Sequence, residues 1–287
     1  MKFGLMFANS GAFSEPDAAV AVAQAAEEAG FESLWTVEHV VVPADYESEY
    51  PYSRTGKMPG GEDVPIPDPL VWLTWVAAAT SSINLATGIL ILPQRNPVVL
   101  AKETATLDRL SGGRLRLGVG VGWLEEEFRS LGVPFERRGA RTDEYVAALR
   151  ALWTEDEASF DGEFVSFTRV KSYPKPAQAG GIPVVVGGHT PAAARRAGRL
   201  GDGFFPGRGK PEILGDLLAE MRAAAAEAGR DADAIEITAG GAIDVDGIRV
   251  YEDLGVARMV IPPLAFDADG IREALLRFSD EVIAKLA

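Results

Sequence analysis

The chain has 287 residues, 47% hydrophobic and 24% charged, proportions of an ordinary globular protein and far from those of disordered or collagen-like chains. Its 42 acidic and 28 basic residues leave a formal net charge of −14, a field that repels phosphate backbones and anionic lipids and argues against nucleic acid or a membrane as partner. No Cys is present and His occurs twice, which removes disulfides, thiolate metal sites and thiol nucleophiles and leaves a cytoplasmic enzyme as the expected class. The first residues lack the h-region and cleavage site of a signal peptide, and no stretch approaches the roughly 20 apolar residues of a membrane span.

Strand and helix signals alternate along the chain. A strand over residues 2–8 precedes Ser14, which reads as an N-cap with Asp17 three residues on, and an Ala-rich helix stopped at Gly30. A second strand over 33–37 leads into a long loop. Asp68-Pro69 and Asn96-Pro97 each read as cap and first turn of a helix, reaching about 80 and 110, with a third strand over 83–92 between them. A fourth strand covers 114–121. The helix from about 140 to 153 places Tyr145, Leu149, Leu152 and Trp153 on one face, a core stripe. A small hairpin over 159–167 turns at Asp161-Gly162 and reads as an insertion. Strands at 183–186, 203–205, 235–239 and 258–261, each followed by a helical segment, complete eight βα units. That pattern predicts a (β/α)8 TIM barrel, a single domain over 1–287 with a long loop after strand 2 and a small hairpin insertion after strand 4. A doubly wound open sheet would carry phosphate-binding glycines in its first βα turn, where this chain has Asn9-Ser10-Gly11.

Several motifs are excluded. Gly118, Gly120 and Gly122 lack the spacing of a dinucleotide fingerprint; on a strand they share one face, leaving room for a flat ligand or for a close-packed side chain. Phe204 and Pro211 break any Walker pattern around Gly207 and Lys210, and neither His stands at chelating spacing, so no metal is expected. Chemistry in a barrel gathers at the C-terminal strand ends, and both His39 and His189 fall there. His39 is the candidate proton-transfer group. The Gly187 to Thr190 loop, with Pro191 opening a helix, reads as an anion seat or as an ordinary capped turn. The 28 residues 40–67, with five prolines, three glycines and Tyr46, Tyr50 and Tyr52, read as a lid over the mouth or as a passive Ω-loop.

The stretch from Trp35 to His39, Leu85 to Leu90 with Pro93 to Pro97, Leu107 to Arg114 running into Gly118 to Trp123, and later Val186-Gly187-Gly188 and Gly201 to Phe204 resemble the bacterial luciferase-like monooxygenase superfamily. The pattern is most similar to its branch using the deazaflavin coenzyme F420. The resemblance implies a cofactor at the barrel mouth, His39 as proton donor or acceptor beside the reactive ring carbon, and Glu38 as a cofactor contact. It further implies a cis peptide at Gly88-Ile89 against the ring, ring contacts from Val121 and Gly122, and a phosphate loop of Gly187, Gly188, His189 and Thr190. Trp123 stands where the sugar-phosphate dehydrogenases of the family have a carboxylic acid; with Tyr52 it is expected to wall the substrate pocket and to favour a more apolar small molecule. Arg208 and Lys210 hint at a cationic cluster for the coenzyme tail. The resemblance leaves open a homodimer, an FMN-dependent two-component monooxygenase using O2 with a partner flavin reductase, and a non-catalytic flavin or deazaflavin carrier or sensor.

Overall fold

The computed structural model describes residues 1–207 and 210–286; Arg208 lies outside them. In chain order the elements are β1 (Lys2–Met6), α1 (Pro16–Glu28), β2 (Ser33–Thr36), α2 (Pro69–Ala77), β3 (Asn84–Thr87), β4 (Leu90–Ile91), α3 (Pro97–Leu110), β5 (Leu115–Gly120), α4 (Glu125–Ser130), α5 (Arg138–Thr154), β6 (Ala158–Asp161) and β7 (Ser166–Val170). They continue with β8 (Val184–Gly187), α6 (Pro191–Leu200), β9 (Gly203–Phe205), α7 (Pro211–Glu227), β10 (Glu236–Ala239), α8 (Val245–Asp253), β11 (Arg258–Ile261) and α9 (Ala268–Phe278), after which the chain winds on through residue 286. Parallel pairing runs β3-β2-β1-β11-β10-β9-β8-β5, and β3 also pairs with β5, which closes the ring. The third stave is interrupted. β3 and β4 are one stave split at Gly88-Ile89, where the peptide bond is cis.

Sequence chemistry explains the element ends. Asp68 and Asn96 cap α2 and α3 by accepting from the N–H groups of the second and third helical residues, the first being Pro in each. Ser14 does not cap α1: its hydroxyl donates back to the Gly11 carbonyl, closing a short 3-10 turn, and Glu15 holds the cap position with no side-chain bond. The hairpin β6-β7 is clamped to α5 by the Glu144 carboxylate, which accepts from the N–H groups of Glu163, Phe164 and Val165. Helix α4 has no counterpart in the expected element list.

The stretch Leu107 to Arg114 is a scaffold. Buried Asp108 accepts from the N–H groups of Leu115, Ala177 and Gln178 and from the Gln178 amide, while Arg109 and Arg114 cap carbonyls of 175–176 and of Ala77, Thr80 and Ile83. At the N-terminal end of the barrel Arg258, 0% exposed, bonds Glu32 through Nε (2.7 Å) and Nη2 (2.8 Å) and Glu236 through Nη1 (2.6 Å). Arg116 and Lys2 also pair with Glu236. Lys2, Arg258 and Arg116 hold the Glu236 carboxyl down to about 2 against the opposing effect of its burial.

Candidate active site at the barrel mouth

The site lies at the C-terminal strand ends. There, β5 runs past β3 and β4 so closely that its alternating glycines are filled by protein. A Cβ on Gly118 would lie 1.8 Å from the Thr87 carbonyl oxygen, and one on Gly120 would lie 1.7 Å from Cδ1 of Ile89; on Gly122 it would meet Phe128 and Ile91 at 2.7 and 2.8 Å. Of the two sequence readings for these glycines, close packing is the one observed. The Ile89 side chain also crosses Gly187, whose Cβ would stand 2.5 Å from Ile89 Cγ2. The cis Gly88-Ile89 bond, Val121, Gly122 and the Gly187 end of β8 are thereby gathered on one side of the mouth.

His39 follows β2. Its Nδ1 lies 3.0 Å from Oε2 of Glu127 on α4, and its ring meets Trp123 edge-on at 5.6 Å between centroids. Glu127 is 0% exposed, and its Oε1 accepts from the Val40 (2.7 Å) and Val41 (3.3 Å) N–H groups. Sequence reasoning missed Glu127 because Glu125-Glu126-Glu127 reads as a solvated acidic run. The available signal was its place with Leu124, Phe128 and Leu131 at i, i+3, i+4, i+7 spacing, a carboxylate set in an apolar face.

Glu38, next to His39, is buried and committed to protein partners. It accepts from the Ile91 N–H and from Arg95, whose Nε lies 2.9 Å from Oε1, and Arg95 also reaches Asp68 Oδ2 at 2.6 Å. The guanidinium, desolvated as it is, is held above its ordinary value by Glu38 and Asp68, so Glu38 faces a permanent cation.

The loop 40–67 crosses the opening. Tyr46 and Tyr50 meet Trp123 at 5.5 and 5.2 Å, Tyr50 meets Tyr52 at 5.4 Å, and Tyr52 meets His189 at 4.9 Å. A continuous chain of rings therefore runs from His39, after β2, to His189, after β8. The loop is pinned by Glu126, whose carboxylate accepts from the N–H groups of Glu47 and Ser48 and from the Ser48 hydroxyl. Burial and the neighbouring Tyr50 push the Tyr52 phenol up to about 12, and burial lowers His189, so both are neutral near pH 7.

On the far side, Gly188 takes φ of +130° and its N–H bonds the Phe205 carbonyl, while the Thr190 hydroxyl caps α6 by accepting from Ala193. Helix geometry leaves the Ala192 N–H without an intrahelical acceptor, at the positive end of the helix. Among the described residues no group of His and carboxylates is arranged to hold a metal ion, and no helix is long and apolar enough to cross a membrane.

The family model of the luciferase-like monooxygenases matches residues 1–247. The chain belongs to that family. Its relatives include an uncharacterised protein of Mycobacterium tuberculosis, 35% identical over 243 residues that cover 84% of this chain and 83% of that one. A protein of Kineococcus radiotolerans named F420-dependent glucose-6-phosphate dehydrogenase is 34% identical over 219 residues, 74% of this chain but 59% of the relative. Among solved structures, the monooxygenase RslO1 from Streptomyces bottropensis superposes with a TM-score of 0.78 at 25% identity over the full length of both chains. Family membership and the F420-dependent relatives support an oxidoreductase on a TIM barrel.

Proposed function

We propose that this member of the family moves a hydride between the deazaflavin coenzyme F420 and a small organic substrate, with His39 handling the accompanying proton. The observation that carries the reading is the His39 ring, held between Glu127 and Trp123 at the mouth where the cis Gly88-Ile89 bond also lies. The F420-dependent relatives favour the deazaflavin over FMN.

The residues present fit such a group. The open end of α6 offers the Ala192 N–H to a phosphate beside the Gly187 to Thr190 loop, and a neutral His189 there leaves that task to the backbone. Gly188 has no room for a side chain: a Cβ there would stand 2.8 Å from that of Ala193. The wall of Gly88, Ile89, Val121 and Gly122 would take the flat ring, and Glu38 would act from behind it through the backbone of Ile91 that it holds. When bound, the deazaflavin supplies a two-electron acceptor or donor carbon, C5.

In the oxidative direction Nε2 of His39 would accept the proton that the substrate gives up as its hydride is removed. In reduction both transfers reverse. His39 is the group that holds or moves the proton; Trp123, Tyr50 and Tyr52 exclude water and flank the substrate. Three cations around the mouth are engaged: Arg95 with Glu38 and Asp68, Arg138 with the Gly122 carbonyl, and Lys57 with the Tyr46 carbonyl and ring. A neutral, partly apolar substrate fits that lining better than a sugar phosphate does.

Equilibrium binding of the coenzyme and of FMN to the purified protein, read side by side by calorimetry, tests the reading. Preference for the deazaflavin is expected. Preference for FMN would overturn it and favour the oxygen-using branch, which the full-length match to a monooxygenase keeps in view. Replacing His39 by Ala should spare coenzyme binding and lower turnover about 10²- to 10⁴-fold.

A further inference from the structure

We infer that Glu127 is the positioning residue that sets the tautomer of His39, leaving Nε2 bare toward the mouth. The inference rests on the proton role just given to His39, and it starts from an expensive arrangement. Glu127 is a fully buried carboxylate, and among the described residues no Lys or Arg pairs with it. Desolvating an ionised carboxylate is costly unless good hydrogen bonds replace water. Among the described residues, all three hydrogen-bond partners of its carboxylate lie on the consecutive residues His39, Val40 and Val41.

The two oxygens divide the work. Oε1 accepts from the backbone of Val40 and Val41, which anchors the stem of the loop 40–67. Oε2 faces Nδ1 of His39 at 3.0 Å. A carboxylate is acceptor-only, so the ring nitrogen facing it must carry hydrogen. The neutral ring is then Nδ1–H with Nε2 unprotonated, the form able to accept a proton. Once Nε2 has accepted, the imidazolium sits against the carboxylate and is stabilised by it. The same carboxylate therefore serves both directions of proton transfer.

Glu127→Gln separates the two tasks. Val40 and Val41 present donors, so the Gln carbonyl oxygen must take the Oε1 place and its amide nitrogen the Oε2 place. That nitrogen donates to Nδ1 and forces the hydrogen onto Nε2. The stem stays anchored while the ring is inverted. The comparable exchange in a Ser-His-Asp triad, which keeps geometry and inverts the tautomer, lowers kcat about 10⁴-fold.

The test is ¹⁵N-imidazole NMR on the coenzyme-free protein above the range where His is charged. The chain has two His, so His189→Gln assigns both rings. Expected for His39 in the parent is a protonated Nδ1 and a bare Nε2, and in Glu127→Gln the reverse. A parent ring carrying its hydrogen on Nε2, or sharing it as free imidazole does, would overturn the inference even if the variant failed to fold. An unchanged His39 tautomer in a folded Glu127→Gln protein would overturn it as well. The readout needs no coenzyme: the expected tautomers in a protein that prefers FMN would sustain this inference while the deazaflavin reading fell.

Discussion

Alanine substitutions along β5 ask whether its alternating glycines make room for protein. At Gly118 the added Cβ would sit 1.8 Å from the Thr87 carbonyl oxygen, whereas real Cβ atoms stay beyond 3.0 Å, so β3 would have to retreat by 3.0 less 1.8, or 1.2 Å. That retreat breaks the 2.6 Å bond from the Thr87 hydroxyl to the Gly118 carbonyl and strains the pairing of Leu85 with Leu115. Overpacking costs about 1–3 kcal/mol, and an unmade buried hydrogen bond adds about 1–3. The lower unfolded-state entropy of Ala returns only about 0.4–1 kcal/mol. A net loss of about 3 kcal/mol is expected for Gly118→Ala. At about 2.1 cal/mol/K per residue, unfolding 287 residues carries about 0.6 kcal/mol/K, so the melting temperature should fall by about 5 °C. Gly120→Ala differs because its clash, at 1.7 Å, is with the terminal Cδ1 of Ile89. Ile89→Val deletes that atom at a cost of about 0.5–1.5 kcal/mol on its own. Combined with Gly120→Ala it should be less destabilising than the two single changes together by at least about 1 kcal/mol. Calorimetric melting of the set decides it. A Gly118→Ala protein melting with its parent, or a Gly120→Ala protein unrelieved by Ile89→Val, would refute the packing account.

Two further outcomes follow from charges. The folded-state value of Glu236 is about 2 against an ordinary 4.5, so its contribution to stability is present above about 4.5 and is lost as pH falls toward 2. Urea denaturation of the parent and of Glu236→Gln should show a stability gap near pH 6 that closes between pH 4.5 and 2; a constant gap refutes the linkage. Glu126→Ala releases Glu47 and Ser48 from α4, and trypsin should then cut at exposed Arg54 about 10-fold faster with the melting temperature little changed. An unchanged cleavage rate would refute the pinning role of Glu126.

Much of the barrel was legible because local chemistry and fold agree. Asp68-Pro69 and Asn96-Pro97 begin helices where their caps and prolines say they should, and α3 spans Pro97–Leu110 as expected. Ser14 misled, since a hydroxyl near a helix start can equally close a turn upstream. The third stave reads as one strand because its run over 83–92 is mostly apolar, and its polar residues, Asn84 and Thr87, do not mark the break at 88–89, which only the family resemblance indicated. The ring of candidate residues was legible through strand-end position and resemblance. Glu127 was not read, because one buried carboxylate among three adjacent ones has no compositional mark; its spacing with Leu124 and Phe128 was the one signal, and its partner His39 becomes visible only when α4 turns it inward. Glu38 was identified as important, but its engagement with Arg95, 57 residues away in sequence, depends on the closed ring.

The ionic cluster of Arg258, Glu32 and Glu236 also has a consequence for traffic. Its buried guanidinium fills the N-terminal end of the barrel, so traffic to a site near His39 would go by way of the C-terminal mouth. The aromatic span from Trp123 to Tyr52 crosses that mouth, on a loop pinned to Glu126.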